Sequence, residues 1–176
     1  PALAVVLQVA PVGDTFRPFA SPTIFLFIGS FILAQALFVH RVNERIAYGV
    51  LSLRIIGAHP TRILIAYGLL AATLSAWMSN TATAAMLVPI GLTLIRFMES
   101  EAKIPKKYGT ALMLMTTYCC SRGGMATPVG TPPNLIAIGM ISDQLDVGIT
   151  FFQWLLFSVP IVIVLLPIVF AYLSWV

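Results

Sequence analysis

Ser75, Ser79, Asn80 and Thr81 crowd one point of an otherwise apolar run. Thr131 and Pro132 stand in a second polar stretch, Gly123-Gly124-Met125-Ala126-Thr127-Pro128-Val129-Gly130-Thr131-Pro132-Pro133-Asn134. Hydroxyls and backbone carbonyls are hard oxygen ligands, suited to Na⁺ and not to a soft metal. The Asn80 amide can donate to a carboxylate and accept from a cation. Ser75 precedes Ser79 by one helical turn, so their hydroxyls can share a face. Two helix ends are expected to meet here, one near Met78 and the other beginning near Thr81. The first offers unpaired carbonyls to a cation. The second offers unpaired N–H groups and a positive dipole end to an anion. The later stretch repeats the pattern. Thr131 is a good N-cap, Pro132 fits the first helical position, and Gly123, Gly124 and Gly130 permit close backbone approach.

The elements that must position these groups lie in hydrocarbon. The chain has 176 residues, 59% hydrophobic and 9% charged, with mean hydropathy +0.97. Soluble domains run nearer a quarter charged. An all-α integral membrane protein is expected, with the lipid bilayer as its surroundings and a multi-pass place in the cell membrane. The net charge of +4 is no nucleic-acid signal. Most basic residues fall in two connectors, Arg41, Arg45, Arg54 and Arg62 in one and Arg96, Lys103, Lys106 and Lys107 in the other, which reads as membrane topology. Cys119 and Cys120 are adjacent in an apolar run and read as small packing residues. His40 and His59 sit in the basic connector without ligand partners at a useful spacing.

Residues 22–39 are uncharged and long enough to span. In the connector that follows, Val42, Ile46, Val50 and Leu53 recur at helical spacing, as in an amphipathic helix lying in the interface. Ile63 to Ile95 is uncharged and has basic residues on both flanks. As one straight helix it would be roughly 50 Å long, against a core of about 30 Å. Its flanks belong on the same side of the membrane, and it is too short for two full crossings. A re-entrant hairpin with Ser79-Asn80-Thr81 at its tip fits better than two short spans. Residues 108–141 then form a broken span. Asp143 and Asp146 mark an acidic connector, and Thr150 caps a last span from Phe151 to Val176. The basic connectors are assigned inside, and the acidic connector and Asp14/Arg17 outside. The organisation is therefore scaffold helices and an interfacial helix over 1–62, hairpin over 63–98, broken helix over 99–150 and a further span over 151–176. Hydrocarbon tolerates non-helical backbone only where protein or a watery cavity satisfies it, and paired interrupted segments point to a transporter site. Arg122 is a costly charge inside an apolar segment and a functional candidate, with snorkelling as the plain alternative.

WMSNTATAAMLVPI (Trp77 to Ile90) and GGMATPVGTPPNLIAIG (Gly123 to Gly139) resemble the first Ser-Asn-Thr signature and the paired loop of the divalent anion/sodium symporter family, within the ion-transporter superfamily. The likeness extends over most of the chain. It implies secondary active transport of a small anionic solute (a di- or tricarboxylate or sulfate) coupled to Na⁺, with no organic cofactor. It also implies an elevator movement against a homodimeric scaffold, and two inverted repeats that share one site. Carried across, Ser75, Ser79, Asn80 and the Gly130 backbone would bind Na⁺, and Asn80, Thr81, Thr131 and Pro132 would face the substrate. The chain carries the first repeat only. It reads as a piece of a longer protein, and without the second repeat it should not transport alone. Arg122 replaces an uncharged residue of the family pattern. It is expected either to attract the anion or to stand in for the coupling cation, as in a sodium-independent exchanger of the same fold.

Two other classes compete. An enzyme would use Gly130-Thr131 to cradle a phosphate, but neither break carries an acid or a histidine as base or metal ligand. A non-transporting scaffold or half-transporter remains open on length alone.

Overall fold

A computed structural model describes residues 2–9, 11–16, 22–52, 59–101 and 106–175. Arg17, Leu53, Arg54 and Lys103, used above, lie outside the described residues. The elements are all helices: α1 (Ala2–Val6), α2 (Val12–Phe16), α3 (Pro22–Val39), α4 (Val42–Leu51), α5 (Pro60–Ser75), α6 (Asn80–Glu101), α7 (Lys106–Met125), α8 (Pro132–Leu145) and α9 (Phe151–Trp175). By length and composition, α6 and α9 can each cross a membrane, and α3 with α4 forms a bent pair at 62°. The bend falls at Arg41, which takes the left-handed conformation with φ 51°.

Local chemistry fixes most boundaries. His59 is extended and Pro60 opens α5, where its missing N–H costs nothing. Thr150 and Gln153 cap α9 reciprocally: the Gln153 amide donates to Thr150 Oγ1 at 3.3 Å, and the Thr150 amide donates to Gln153 Oε1 at 2.8 Å. The hairpin arms α5 and α6 differ in length because α6 continues through Arg96 to Glu101. Its uncharged part, Asn80 to Ile95, matches the 16 residues of α5. That length is roughly 24 Å, short of the ~30 Å hydrocarbon core.

α5 is the central helix. Ile63, Leu64, Tyr67, Leu70, Ala71 and Leu74 are buried along one broad face, while Ile65, Leu69 and Thr73 on the other side are exposed, as expected of a helix with one apolar stripe on the core. It packs chiefly on α7, with α6 and α9 completing the cluster. Cys119 and Cys120 are unpaired and fully buried in that core, as packing residues. α4 turns Asn43 and Ala47 toward the core and leaves Ile46 exposed. The apolar row Val42–Ile46 is therefore offset from the buried row by one residue.

The second polar stretch breaks the helix over a shorter length than its composition predicts. α7 runs through Gly123 and Gly124 to Met125, and only residues 126–131 leave the helix. The two glycines serve contact between helices instead. A Cβ on Gly123 would lie 2.1 Å from the Ala72 carbonyl oxygen and 2.5 Å from its Cα. The backbones of α5 and α7 thus touch where a side chain cannot fit, the usual device of membrane helix pairs.

Gly123→Val should force α5 and α7 apart. Overpacking of this kind costs about 1–3 kcal/mol. The apparent Tm of the full-length protein in detergent should fall by several degrees, whereas Gly29→Val, with open space around it, should leave it unchanged. Equal melting of both variants would contradict the close approach.

Candidate binding site at two helix breaks

α5 and α6 meet at a short turn over residues 76–79. The Ala76 and Met78 amides still bond back to the Ala72 and Leu74 carbonyls, at 3.1 Å each. Ser79 then caps α6: its Oγ accepts from the Ala82 amide at 3.2 Å. Across the turn, Ser75 Oγ donates to Asn80 Oδ1 at 2.5 Å. Asn80 is the first residue of α6 and is half-buried, while Ser75 is buried.

The α7–α8 break folds onto this turn. The Thr127 hydroxyl donates to the Ala76 carbonyl, and the Gly130 amide donates to Thr127 Oγ1 at 3.1 Å. Asn134 Nδ2 donates to the carbonyls of Gly124 and Thr127, both at 2.8 Å. From α9, Trp154 Nε1 donates to the Met125 carbonyl at 3.1 Å, and the Ser158 hydroxyl donates to the Ala126 carbonyl at 2.7 Å. Every one of these bonds satisfies a peptide group that the helix no longer serves.

Two glycines bring the parts together. A Cβ on Gly124 would lie 2.4 Å from Asn80 Oδ1; one on Gly130 would lie 2.5 Å from the Gly124 carbonyl oxygen and 3.0 Å from that of Ala76. Ser75 Oγ and Asn80 Oδ1, bonded to each other, therefore stand beside the backbone at Gly124, Gly130 and Ala76 in contacts that only glycines allow. Oxygen is the donor set that Na⁺ takes and a soft metal does not. The first turns of α6 and α8 are joined through Gly124, which touches Asn80 on one side and accepts from Asn134 on the other.

Among the residues singled out for a cation, the structure brings Ser75, Asn80 and Gly130 together and places Ser79 elsewhere. Ser79 is exposed, its Oγ is engaged as the cap, and it lines a cavity of about 350 Å³ facing Phe31, Ala34 and Phe38 of α3. The face shared by Ser75 and Ser79 is not formed, because α5 ends at Ser75 and the chain turns into α6. Thr81 is exposed and Thr131 partly so; neither hydroxyl has a hydrogen-bond partner among the described residues. Thr131 stands at the N-cap in extended conformation, φ −149°, with Pro132 following, but its side chain does not cap. Arg122 lies in the last turn of α7, its guanidinium 5.3 Å above the Tyr118 ring. Tyr118 and Met125 on that face are exposed, whereas Gly123 and Gly124 face α5 and Asn80. The arginine thus points away from the hairpin.

Four supporting residues escaped the reading of the sequence: Thr127, Asn134, Trp154 and Ser158. Asn134 carried a usable signal, a buried-type amide in the first turn after a Gly/Pro break. Trp154 and Ser158 carried a fainter one, two hydrogen-bonding residues one turn apart on an apolar helix.

Two helix breaks that meet inside an apolar helical bundle are the arrangement expected at a membrane transporter's binding site. The profile of the citrate transporter family (CitMHS) matches residues 1–176, and the chain belongs to that family. It is 37% identical over 170 residues, 96% of its length, to an uncharacterized transporter of Haemophilus influenzae, covering 34% of that protein. It is 32% identical over 182 residues to the sodium-dependent dicarboxylate transporter SdcS of Staphylococcus saprophyticus, covering 97% of this chain and 35% of the relative. The same protein of Staphylococcus aureus strain USA300 is 34% identical over 178 residues, 94% of this chain and 34% of the relative. The chain spans about a third of the length of the curated relatives it matches. The likeness to the divalent anion/sodium symporters agrees with these matches.

Asn134→Leu should leave the Gly124 and Thr127 carbonyls without a donor. An unsatisfied buried group costs about 1–3 kcal/mol. The full-length variant should melt several degrees lower than one carrying Ile136→Leu, a change at an exposed position. Identical melting curves would remove Asn134 from the support of the break.

Proposed function

We propose that this chain is one half of a secondary transporter that moves di- or tricarboxylates, or sulfate, together with Na⁺. The observation that carries this reading is the junction of Ser75 and Asn80 with Gly124 and Gly130. It sets an oxygen cradle beside the first turns of two helices. Na⁺ binds among Ser75, Asn80 and the Gly130 backbone. The anion's carboxylate or sulfate oxygens are held by Asn80, Thr81, Thr131 and the amides of the first turns of α6 and α8, with Pro132 packing against the solute. The positive helix ends favour that charge. Names of the SdcS relatives support Na⁺ and a dicarboxylate.

A second inverted repeat, outside this chain, completes the site, and the whole protein works as a homodimer with an elevator movement. The family match and the relatives' names support a transporter over an enzyme. Arg122 supports Na⁺ coupling over fixed-charge exchange, because its guanidinium rests on Tyr118 and not in the cradle.

The test is uptake of a labelled dicarboxylate by the reconstituted full-length protein, with and without a Na⁺ gradient. Ser75→Ala should raise the Na⁺ concentration needed for half-maximal uptake severalfold, since one neutral ligand is worth on the order of 1 kcal/mol. Thr131→Val should weaken apparent substrate affinity roughly tenfold, as a bond to a charged group is worth about 1.5–3 kcal/mol. Uptake indifferent to Na⁺ in the wild type would favour the exchanger. Unchanged substrate dependence in Thr131→Val would remove that hydroxyl from the site.

A further inference from the structure

Tyr67 is fully buried, and it is a polar group set where three helices meet. Its hydroxyl donates to the Leu87 carbonyl of α6 at 2.7 Å. The Thr116 hydroxyl of α7 approaches the same oxygen at 3.3 Å. A Cβ on Gly91 would lie 2.6 Å from that hydroxyl and 2.6 Å from Met113 Cε. Leu87 and Thr116 are as dry as the tyrosine.

In a membrane segment a buried hydroxyl must find its partners within the protein. A carbonyl oxygen has two lone pairs, so the Leu87 carbonyl of α6 accepts the tyrosine proton, and the tyrosine oxygen in turn meets the Thr116 hydroxyl of α7. One hydroxyl of α5 thereby ties three helices together.

We propose that Tyr67 is a positioning residue: it clamps the arm α6 to α5 and α7, and so holds Asn80 against Ser75 and Gly124. It lies eight residues before Ser75 on α5, roughly 12 Å from the tip, and touches no solute or ion. The inference deepens the transport reading, on which its effect on affinity rests; the clamp itself is measured without transport.

Tyr67→Phe keeps the ring and removes the hydroxyl. In the full-length protein in detergent, amide hydrogen exchange should rise roughly tenfold in two places, residues 87–91 and the tip residues 76–80, for the loss of a bond near the tenfold energy. Residues 136–145 of α8 should exchange as before. In uptake, half-saturating concentrations for substrate and Na⁺ should both rise severalfold while the maximal rate per folded protein is kept. Gly91→Ala, which drives a methyl against the hydroxyl, should act in the same direction and serves if the phenylalanine variant fails to fold. Exchange that rises at 87–91 alone, or nowhere, would overturn the proposal. So would faster exchange at both places with unchanged half-saturation. If the wild type takes up no carboxylate or sulfate under any gradient, the transport reading fails, and the two exchange measurements alone decide the clamp.

Discussion

The peptide groups released by two helix breaks constrain everything else in this fold. Inside hydrocarbon each such group costs several kcal/mol unless the protein pairs it. The α7–α8 break is held by four side chains. Thr127 reaches the hairpin turn at Ala76, Asn134 spans two carbonyls, and Trp154 and Ser158 approach from α9. The hairpin turn needs less, because its first amides still bond to α5 and Ser79 caps α6. These bonds tie the break to the hairpin turn on one side and to α9 on the other.

Close approach is the second requirement. Gly123 lets α5 and α7 touch at Ala72, Gly124 admits the Asn80 amide, and Gly130 admits two carbonyls. The same glycines that suggest a loop therefore work at helix surfaces. The polar stretch reads as a twelve-residue interruption, yet the helix continues to Met125 because backbone contact with α5 holds its last turn.

Much of the architecture was legible in one dimension. Residues 22–39 and the start of the last span at Phe151 match α3 and α9 at their ends, since hydropathy and the Thr150 cap mark them directly. The tip at Ser79-Asn80 follows from a polar triplet centred in an apolar run with basic flanks. The place of Ser79 was not legible. Whether a hydroxyl caps its own helix or enters a site depends on where α5 stops, and boundaries are poorly fixed by composition. Arg122 is similar: its direction depends on which face of α7 meets the hairpin, and Gly123 and Gly124 claim that face. Tyr67 gave no sign in the sequence, because its partners lie twenty and forty-nine residues away.

In the proposed site, Ser75, Asn80, Gly124 and Gly130 form one cradle for a cation beside a bound anion. A high-resolution structure of the full-length protein with Na⁺ and a dicarboxylate measures this most directly. Cation density is expected among Ser75 Oγ, Asn80 Oδ1 and backbone oxygens of the α7–α8 break, with a carboxylate at the first turns of α6 and α8. Clear ligand density at another place, with these oxygens still bonded only to one another, would contradict it.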